Sequence, residues 1–566
     1  MAVLEFIGDQ LLRPNRAVVF GLGAIAGLAM HHGFYIHGEW HVQAPAIVVG
    51  HSLAFAALFI GSVSSSFAGG TLTLESKFVF RYPGFAILGY LVALFTSITV
   101  YRLFFNRLAR AGFAGPVGAR ITKLWHMWAC RGSKNHLVLD RLHRKYGDFV
   151  RTGPTEVTVF HPDVYWVIDG PKAECVKSEW YDILDPNLSL VTARNKFLHQ
   201  TRRRQWNQGF TTKSIAQYEE KILKYVDQLD VCIEQDVAAH RVSDVRNLFF
   251  WFGFDAMGDF VFNKPFNMLQ DQKWHHIIVL LQRALSLLGP FSAVPWLIQI
   301  GFKLMPRVWI LKDWFDMVAW CEKQMHERLQ VPEDKLRVPD VAHYLMEDAK
   351  TNNFRKESMM WLNGDSLLAI VAGSEPTASV LLGIFCELAR NPAHARKIYD
   401  EIQGLDIRDA RSLSRAPHLE AVISEALRFY PVLPTGGNRK TLEHGVTIGG
   451  TYIPPYTTIV APRYSIMRRE DCFERGNEFL PERWFEKPEM IRNKAAYAPF
   501  GTGHHSCLGR VLATDDMRLV TARLVSKYHI RFPTGEDGHG VLGDLRDQFT
   551  ANPGQLHLVF ELREKQ

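Results

Sequence analysis

Three long apolar runs dominate the first hundred residues. They are AVVFGLGAIAGLAMHHGFYI (17–36), APAIVVGHSLAFAALFIGSVSSSFA (44–68) and PGFAILGYLVALFTSITVY (83–101). Each reaches the roughly 20 residues that span a bilayer as a helix. The pattern predicts a membrane anchor over residues 1–110 with up to three transmembrane helices, and a separate body over 111–566. A cleaved leader is the other reading of the first run, but two more runs follow and no small-residue cleavage site ends it. Arg102, Arg107, Arg110, Arg120 and Lys123 follow the third run. By the positive-inside tendency they put the body in the cytosol. Three spans then leave the N-terminus in the lumen, against the pull of Arg13 and Arg16. GPVGAR (115–120) reads as a hinge between anchor and body.

Beyond it the pattern changes. YGDFVRTGPTEVTVFHP (146–162) alternates around a Gly-Pro turn and predicts a hairpin. Helical periodicity prevails from 162 to 430. DSLLAIVAGSEPTASVLLGIFCELARNP (365–392) predicts a helix capped by Asp365 and stopped at Asn391-Pro392. It lacks a polar face, so it belongs in the middle of the body. Glu375, Pro376 and Glu387 set it apart from a lipid-facing span. HLEAVISEALRFYP (418–431) is a further helix, followed by strand and turn signals rich in Gly and Pro.

Composition narrows the class. With 47% hydrophobic and 22% charged residues, long disorder is excluded. The net charge of +7 (65 basic, 58 acidic) suits an acidic protein partner or an anionic membrane. No basic tract resembles a nucleic-acid arm. Seven scattered cysteines without a C-x-x-C pair argue against a disulfide framework or a zinc ribbon.

One stretch concentrates chemistry: FGTGHHSCLGR, Phe500 to Arg510. Zinc would need three or four converging ligands, and adjacent His504 and His505 point opposite ways on an extended chain. Haem needs one protein ligand, and the thiolate of Cys507 suffices. Gly501, Gly503 and Gly509 would leave room for a flat macrocycle. A helix starting just after Cys507 would turn its positive end toward the sulfur. A buried thiol in a glycine-rich loop is the plainer reading of the same residues.

The stretch resembles the haem loop of cytochrome P-450 enzymes, F-x-x-G-x-[R/H]-x-C-x-G, at Phe500, Gly503, His505, Cys507 and Gly509. The resemblance implies a mainly α haem-thiolate fold with a small β lobe. It makes Cys507 the axial ligand of haem b, packs Phe500 near the sulfur and turns His505 to a propionate. Other motifs follow the family's order. Glu425 and Arg428 in EALR, with Arg483 in FLPERW, are similar to a buried ion triad. His199 and Arg203 in HQTRRRQW, and Arg439 in PTGGNRKT, resemble propionate partners, while Arg202 and Arg204 read as surface residues. AGSEPT (372–377) is similar to the oxygen-side motif, with Glu375 as the proton-relaying acid. The usual threonine is replaced by Pro376, and Thr377 follows one residue later.

What the resemblance implies is a monooxygenase that inserts one atom of O2 into a hydrophobic small molecule. Electrons come from NADPH through NADPH–cytochrome P-450 reductase, docked near Arg202, Arg204 or Arg510. The enzyme sits in the endoplasmic reticulum membrane facing the cytosol. The anchor and RRRQWNQGF look most like fungal members that tailor secondary metabolites. The expected pocket is lined by the segment before His199, by Leu368, Ala369 and Ala372, by residues 432–437 and by the turn at Thr550–Ala551. Pro376 keeps one rival in play, a haem-thiolate isomerase or dehydratase needing no external electrons; a non-enzymatic haem sensor is a second.

Overall fold

The computed structural model describes residues 15–68, 76–332, 339–351, 353 and 355–564. Three helices open it, α1 (Arg16–Met30), α2 (Ala44–Ala68) and α3 (Ser76–Val100). They coincide with the three apolar runs, and each is long and apolar enough to cross a membrane. α1 and α3 meet along small residues. A Cβ at Gly23 would lie 2.0 Å from the Ala86 carbonyl oxygen, and one at Gly27 2.4 Å from that of Tyr90. This is the small-xxx-small seam by which helices approach closely where lipid removes any hydrophobic drive between them. Two of the glycines that dilute the first run, Gly23 and Gly27, are therefore its contact points, while Gly21 and Gly33 face open space. α2 leaves apolar side chains outside, with Leu53 66% and Ile60 64% exposed. Such a face suits lipid and not water, so the segment is compatible with membrane anchoring.

Residues 115–120 do not form the predicted hinge. Val117–Ile121 is a short helix docked on the body. The Arg151 N–H donates to the Ala114 carbonyl at 2.7 Å, and fully buried Arg151 gives Nη2 to the Arg102 carbonyl at 2.8 Å. Arg102 Nη1 donates to the Ile121 carbonyl at 2.8 Å, and Arg120 Nη2 to that of Leu103 at 3.2 Å. Arginines behind the third run thus bind backbone carbonyls and fasten anchor to body. An unpaired buried carbonyl is costly, and a guanidinium can satisfy several at once.

A five-stranded sheet forms the β lobe. Its strands are β1 (Phe149–Gly153), β2 (Glu156–Val159), β3 (Val176–Lys177), β4 (Arg439–Lys440) and β5 (Thr458–Val460), in the order β1–β2–β5–β4–β3. β1 and β2 are the predicted hairpin, with Val150 opposite Thr158. The rest is mostly helical. α4 (Lys196–Gly209), α5 (Thr212–Ala238), α6 (Val245–Phe262), α7 (Lys356–Arg390), α8 (Pro417–Phe429) and α9 (Arg510–Lys527) frame the core.

α7 is the axis of the body, and α6 packs along it, with the Phe249 and Phe385 rings 5.0 Å apart. α7 begins at Lys356, not at Asp365. Buried Trp361 and Leu362 already lie in helical phase, and Asp365 turns sideways instead of capping. At the other end Asn391 caps the next helix, accepting from the Ala393 N–H. α7 runs unbroken through Pro376. Proline has no N–H, so the Ala372 carbonyl loses its helical donor. A small hairpin, β6 (Arg546–Gln548) and β7 (Thr550–Asn552), lies against α7, where Ser379 Oγ donates to the Ala551 carbonyl at 3.0 Å.

Candidate haem-thiolate site

Cys507 stands at the head of α9, and its N–H donates to the Phe500 carbonyl at 2.8 Å. Gly501 and Gly503 take positive φ, +69° and +58°. At Gly503 the need is twofold, because a Cβ would also fall 1.8 Å from the Asp169 carbonyl oxygen. The other six cysteines are buried and Cys507 is exposed. Burial nonetheless pushes its thiol up, while the Gly509 N–H and Arg203 pull it down. The two facts agree if the sulfur faces an interior space, walled by protein but not filled by it. Ala372 tells the same story, exposed in the middle of an otherwise buried α7.

Basic groups gather beside the loop. Arg203 Nη2 donates to the Ser506 carbonyl at 2.8 Å and to its Oγ at 3.2 Å. The rings of His199 and His505 stand 4.5 Å apart, and His505 Nδ1 is buried without a partner. Arg439 donates Nε to Asp169 Oδ1 at 2.5 Å and Nη1 to the Tyr181 hydroxyl at 2.7 Å. Lys177 gives Nζ to the carbonyls of Leu190 and Val191 at 2.9 and 2.7 Å. Burial first, then the charges of Lys177, Arg203 and Arg439, hold His199 down at about 3. Burial and the same cations depress His505, and burial depresses Lys177. Among the described residues, Asp169 is the one carboxylate in ion-pair contact with this cluster. Such an excess of donors is complementary to an anion with paired carboxylates. The propionates of haem would supply that charge and could give the orphaned His505 Nδ1 a partner. Together with the free sulfur of Cys507, the residues fit the group.

Arg202 is a correction. It is not at the surface: it is 3% exposed, and its Nε lies 2.5 Å from Asp365 Oδ2. Trp206 Nε1 and the Leu190 N–H also donate to Asp365, at 3.0 and 2.7 Å. Helical phase decides this, since Arg202 and Trp206 are four apart on α4 and both face α7. Arg204 and Arg510 are exposed as expected. Phe500 is half-buried, with the Arg510 guanidinium 5.9 Å from its ring centre.

The triad is present in full. Glu425, Arg428 and Arg483 are each 0% exposed. Arg428 meets Glu425 through Nη2 at 2.7 Å and Nε at 2.9 Å, and Arg483 Nε meets it at 3.1 Å. Trp484 Nε1 and the Leu480 N–H complete the acceptor set of Glu425, at 2.9 and 2.8 Å.

On α7, Glu375 is buried and accepts from Thr550 Oγ1 at 2.7 Å. Burial pushes its carboxyl up to about 7, against the pull of Thr550 and Arg246. Thr377 is 4% exposed, and its hydroxyl has no hydrogen-bond partner among the described residues. Sequence reasoning missed Lys177 and Arg463, and it placed Thr550 on the pocket wall without its hydrogen bond to Glu375. Lys177 sits in a two-residue strand that no periodicity marks. Arg463 ties the expected pocket segment to the cysteine loop, donating Nη1 to the Gly436 carbonyl at 3.0 Å and Nε to that of Ala498 at 2.9 Å.

A mostly helical body, a cysteine at a helix head and a basic cradle define a haem-thiolate protein. The cytochrome P-450 family profile matches residues 116–556. A cytochrome P-450 monooxygenase of Aspergillus versicolor is 32% identical over 97% of this chain and 98% of its own length. One of Eupenicillium brefeldianum is 33% identical over 84% of this chain and 96% of its own. The tryprostatin B 6-hydroxylase of Neosartorya fischeri is 29% identical over 95% of this chain and 97% of its own. The solved haem domain of cytochrome P-450DA superposes with a TM-score of 0.64 at 18% identity, covering 76% of this chain and 94% of that one. The chain belongs to the cytochrome P-450 family. It is a haem b monooxygenase driven by NADPH, acting on O2 and a small molecule, and the isomerase and sensor readings fall away.

Proposed function

We propose that the enzyme oxidises a hydrophobic secondary metabolite at the endoplasmic reticulum membrane, with residues 111–566 in the cytosol and electrons delivered by NADPH–cytochrome P-450 reductase. The observation that carries the reading is the Cys507 sulfur, exposed inside the body beside a basic cluster short of anions. Bound haem supplies the iron at which O2 is activated. Cys507 would hold that iron through its sulfur. Arg203, His199, His505 and Arg439, with Lys177, would bind the propionates. Phe500, Gly503 and Gly509 shape the sulfur side. Exposed Arg204 and Arg510 offer cations to an acidic reductase face.

Glu375 holds a proton near neutral pH, with one oxygen taken by Thr550 and the other free to donate. Thr377 stands two residues on with an uncommitted hydroxyl and takes over from the threonine that Pro376 replaces. A proton passes from the Glu375 carboxyl toward the space beside Ala372.

The loop between α1 and α2 supports a three-span topology. Glu39 pairs with Arg194 at 2.8 Å and with Lys440 at 2.5 Å, and His41 with Asp182 at 2.7 Å. A loop bound to the body lies on the body's side of the membrane, which leaves the N-terminus on the other side. Product analysis by mass spectrometry, using membranes with NADPH, reductase and candidate metabolites, tests the activity. A product gaining one oxygen only when NADPH and reductase are both present is expected. Conversion independent of both would overturn the reading.

A further inference from the structure

A cavity of about 1270 Å³ does not have Cys507 on its wall. It lies where anchor and body meet. Tyr35, Trp40 and Phe95 line one side, and Trp180, Thr435 and Phe549 another. Of the expected pocket, Thr435 to Gly437 reach it.

Four carboxyl groups line this cavity, Glu39, Glu156, Glu179 and Asp547. Three are met by cations of the chain. Glu39 has Arg194 and Lys440, Glu156 has Lys123 at 2.5 Å, and Glu179 has Lys440 at 3.4 Å. Asp547 has none among the described residues. It is 5% exposed. Its Oδ2 accepts from Thr435 Oγ1 at 2.7 Å, and Thr435 Oγ1 in turn accepts from Asn135 Nδ2 at 3.0 Å. A buried carboxylate with neutral partners alone is costly to keep charged, and burial pushes this one up to about 7.

Its surroundings suit a cation. Phe549, at the tip of the β6–β7 hairpin, holds φ +77°. Left-handed backbone is rare and strained for a bulky residue and is retained where a function needs it. The strain sets the Phe549 ring against that of Trp180, 5.1 Å between centroids and 21° from parallel. Aromatic rings attract cations as well as apolar groups. Trp40 also lines the cavity, and its Nε1–H is buried without an acceptor. Asp547 thus has no cation partner and the Trp40 Nε1–H no acceptor, on a wall rich in aromatic surface whose Arg102 and Arg107 donate instead to the Ile121 and Pro455 carbonyls.

We infer that this cavity binds a hydrophobic amine, with its protonated nitrogen on Asp547, its apolar body against the stacked Trp180 and Phe549 rings, and a carbonyl within reach of Trp40. Calling that amine the substrate rests on the monooxygenase reading above; the site itself does not. The ligand reaches the body along the anchor, which forms part of the binding wall and is more than a tether.

The test is equilibrium binding to the full-length, haem-loaded protein in lipid nanodiscs, without NADPH. The probes are (2-naphthylmethyl)trimethylammonium and its neutral carbon isostere 2-neopentylnaphthalene. The quaternary nitrogen has no lone pair for iron, so binding reports the cavity and not ligation. The wild type should bind the cation about tenfold more tightly than the isostere, the scale of one charge-assisted contact. Asp547→Asn should abolish that preference with the neutral probe unchanged, and Asp547→Glu should restore it. An intact reduced carbon-monoxide band certifies the fold of each variant. Equal affinities in the wild type, or a preference that survives Asp547→Asn, overturn the site. If Asp547→Asn fails to fold, the wild-type comparison alone decides. A protein that binds the cation yet oxidises no amine keeps the site and loses the substrate assignment.

Discussion

Arg202 Nε and Asp365 Oδ2 lie 2.5 Å apart in the interior, joining the helix that carries His199 and Arg203 to the central helix. Removing one partner of a buried pair strands the other, at roughly 3–5 kcal/mol. Asp365→Asn should therefore lower stability and haem content together. The check is the ratio of haem absorbance to protein after purification. Arg202→Met with Asp365→Leu should recover much of the stability, and a double variant as poor as the single would refute the coupling.

Cys507→Ser should abolish the red-shifted absorption of the reduced carbon-monoxide complex while helical content stays near wild type. A retained band would remove Cys507 as the ligand.

Glu375→Gln keeps the size of the side chain and removes the titratable proton. If Glu375 relays protons, the variant should turn over roughly a hundredfold more slowly with unchanged substrate binding, the low end of what general acid catalysis contributes. Thr377→Ala should instead raise peroxide released per NADPH consumed. Unaltered coupling in Thr377→Ala would show that its free hydroxyl is idle.

Asp516 tests pH dependence away from the proton path. Its Oδ1 is buried without a partner, and burial with Asp515 beside it pushes the carboxyl from an ordinary 3.8 up to about 8. Below the ordinary value the group is protonated in both folded and unfolded chains. As pH rises through that window only the unfolded chain ionises, so stability is lost, by an amount on the order of a few kcal/mol. Asp516→Asn should raise the melting temperature more at pH 8.5 than at pH 5. An equal change at both would refute the shift.

Glu39→Gln should loosen the α1–α2 loop from Arg194 and Lys440. Limited proteolysis within residues 36–43 should then speed up in right-side-out-for-the-body vesicles. A glycosylation acceptor fused ahead of Met1 should be modified in the wild type, and its absence of modification would refute the topology.

How much of this was legible in the sequence differs by element. The three apolar runs, the Cys507 loop and the Glu425–Arg428–Arg483 triad were readable, because each depends on local spacing or hydropathy. The position of Arg202 was not. Its partner Asp365 is 163 residues away, and a charge run on paper does not say which arginine turns inward. The basic cradle was half legible. His199 and Arg203 share a helix face, whereas Lys177 enters from a strand fixed by pairing to Arg439. The hinge at 115–120 was misread because glycine marks both loose backbone and close packing. Gly115 serves the second purpose, with its α-carbon against the Arg151 carbonyl.

The central helix, Lys356–Arg390, has a further meaning during synthesis. It is long and apolar enough to cross a bilayer, and its mean hydropathy exceeds that of the first anchor helix. A nascent chain leaving the ribosome therefore carries a fourth segment that insertion machinery could accept. Asp365, Glu375, Glu387 and Pro376 are the brake. An acidic residue near the middle of a span adds roughly 2.5–3.5 kcal/mol to insertion. The same carboxyls that hold Arg202 and a proton in the folded body make the segment a poorer candidate for insertion.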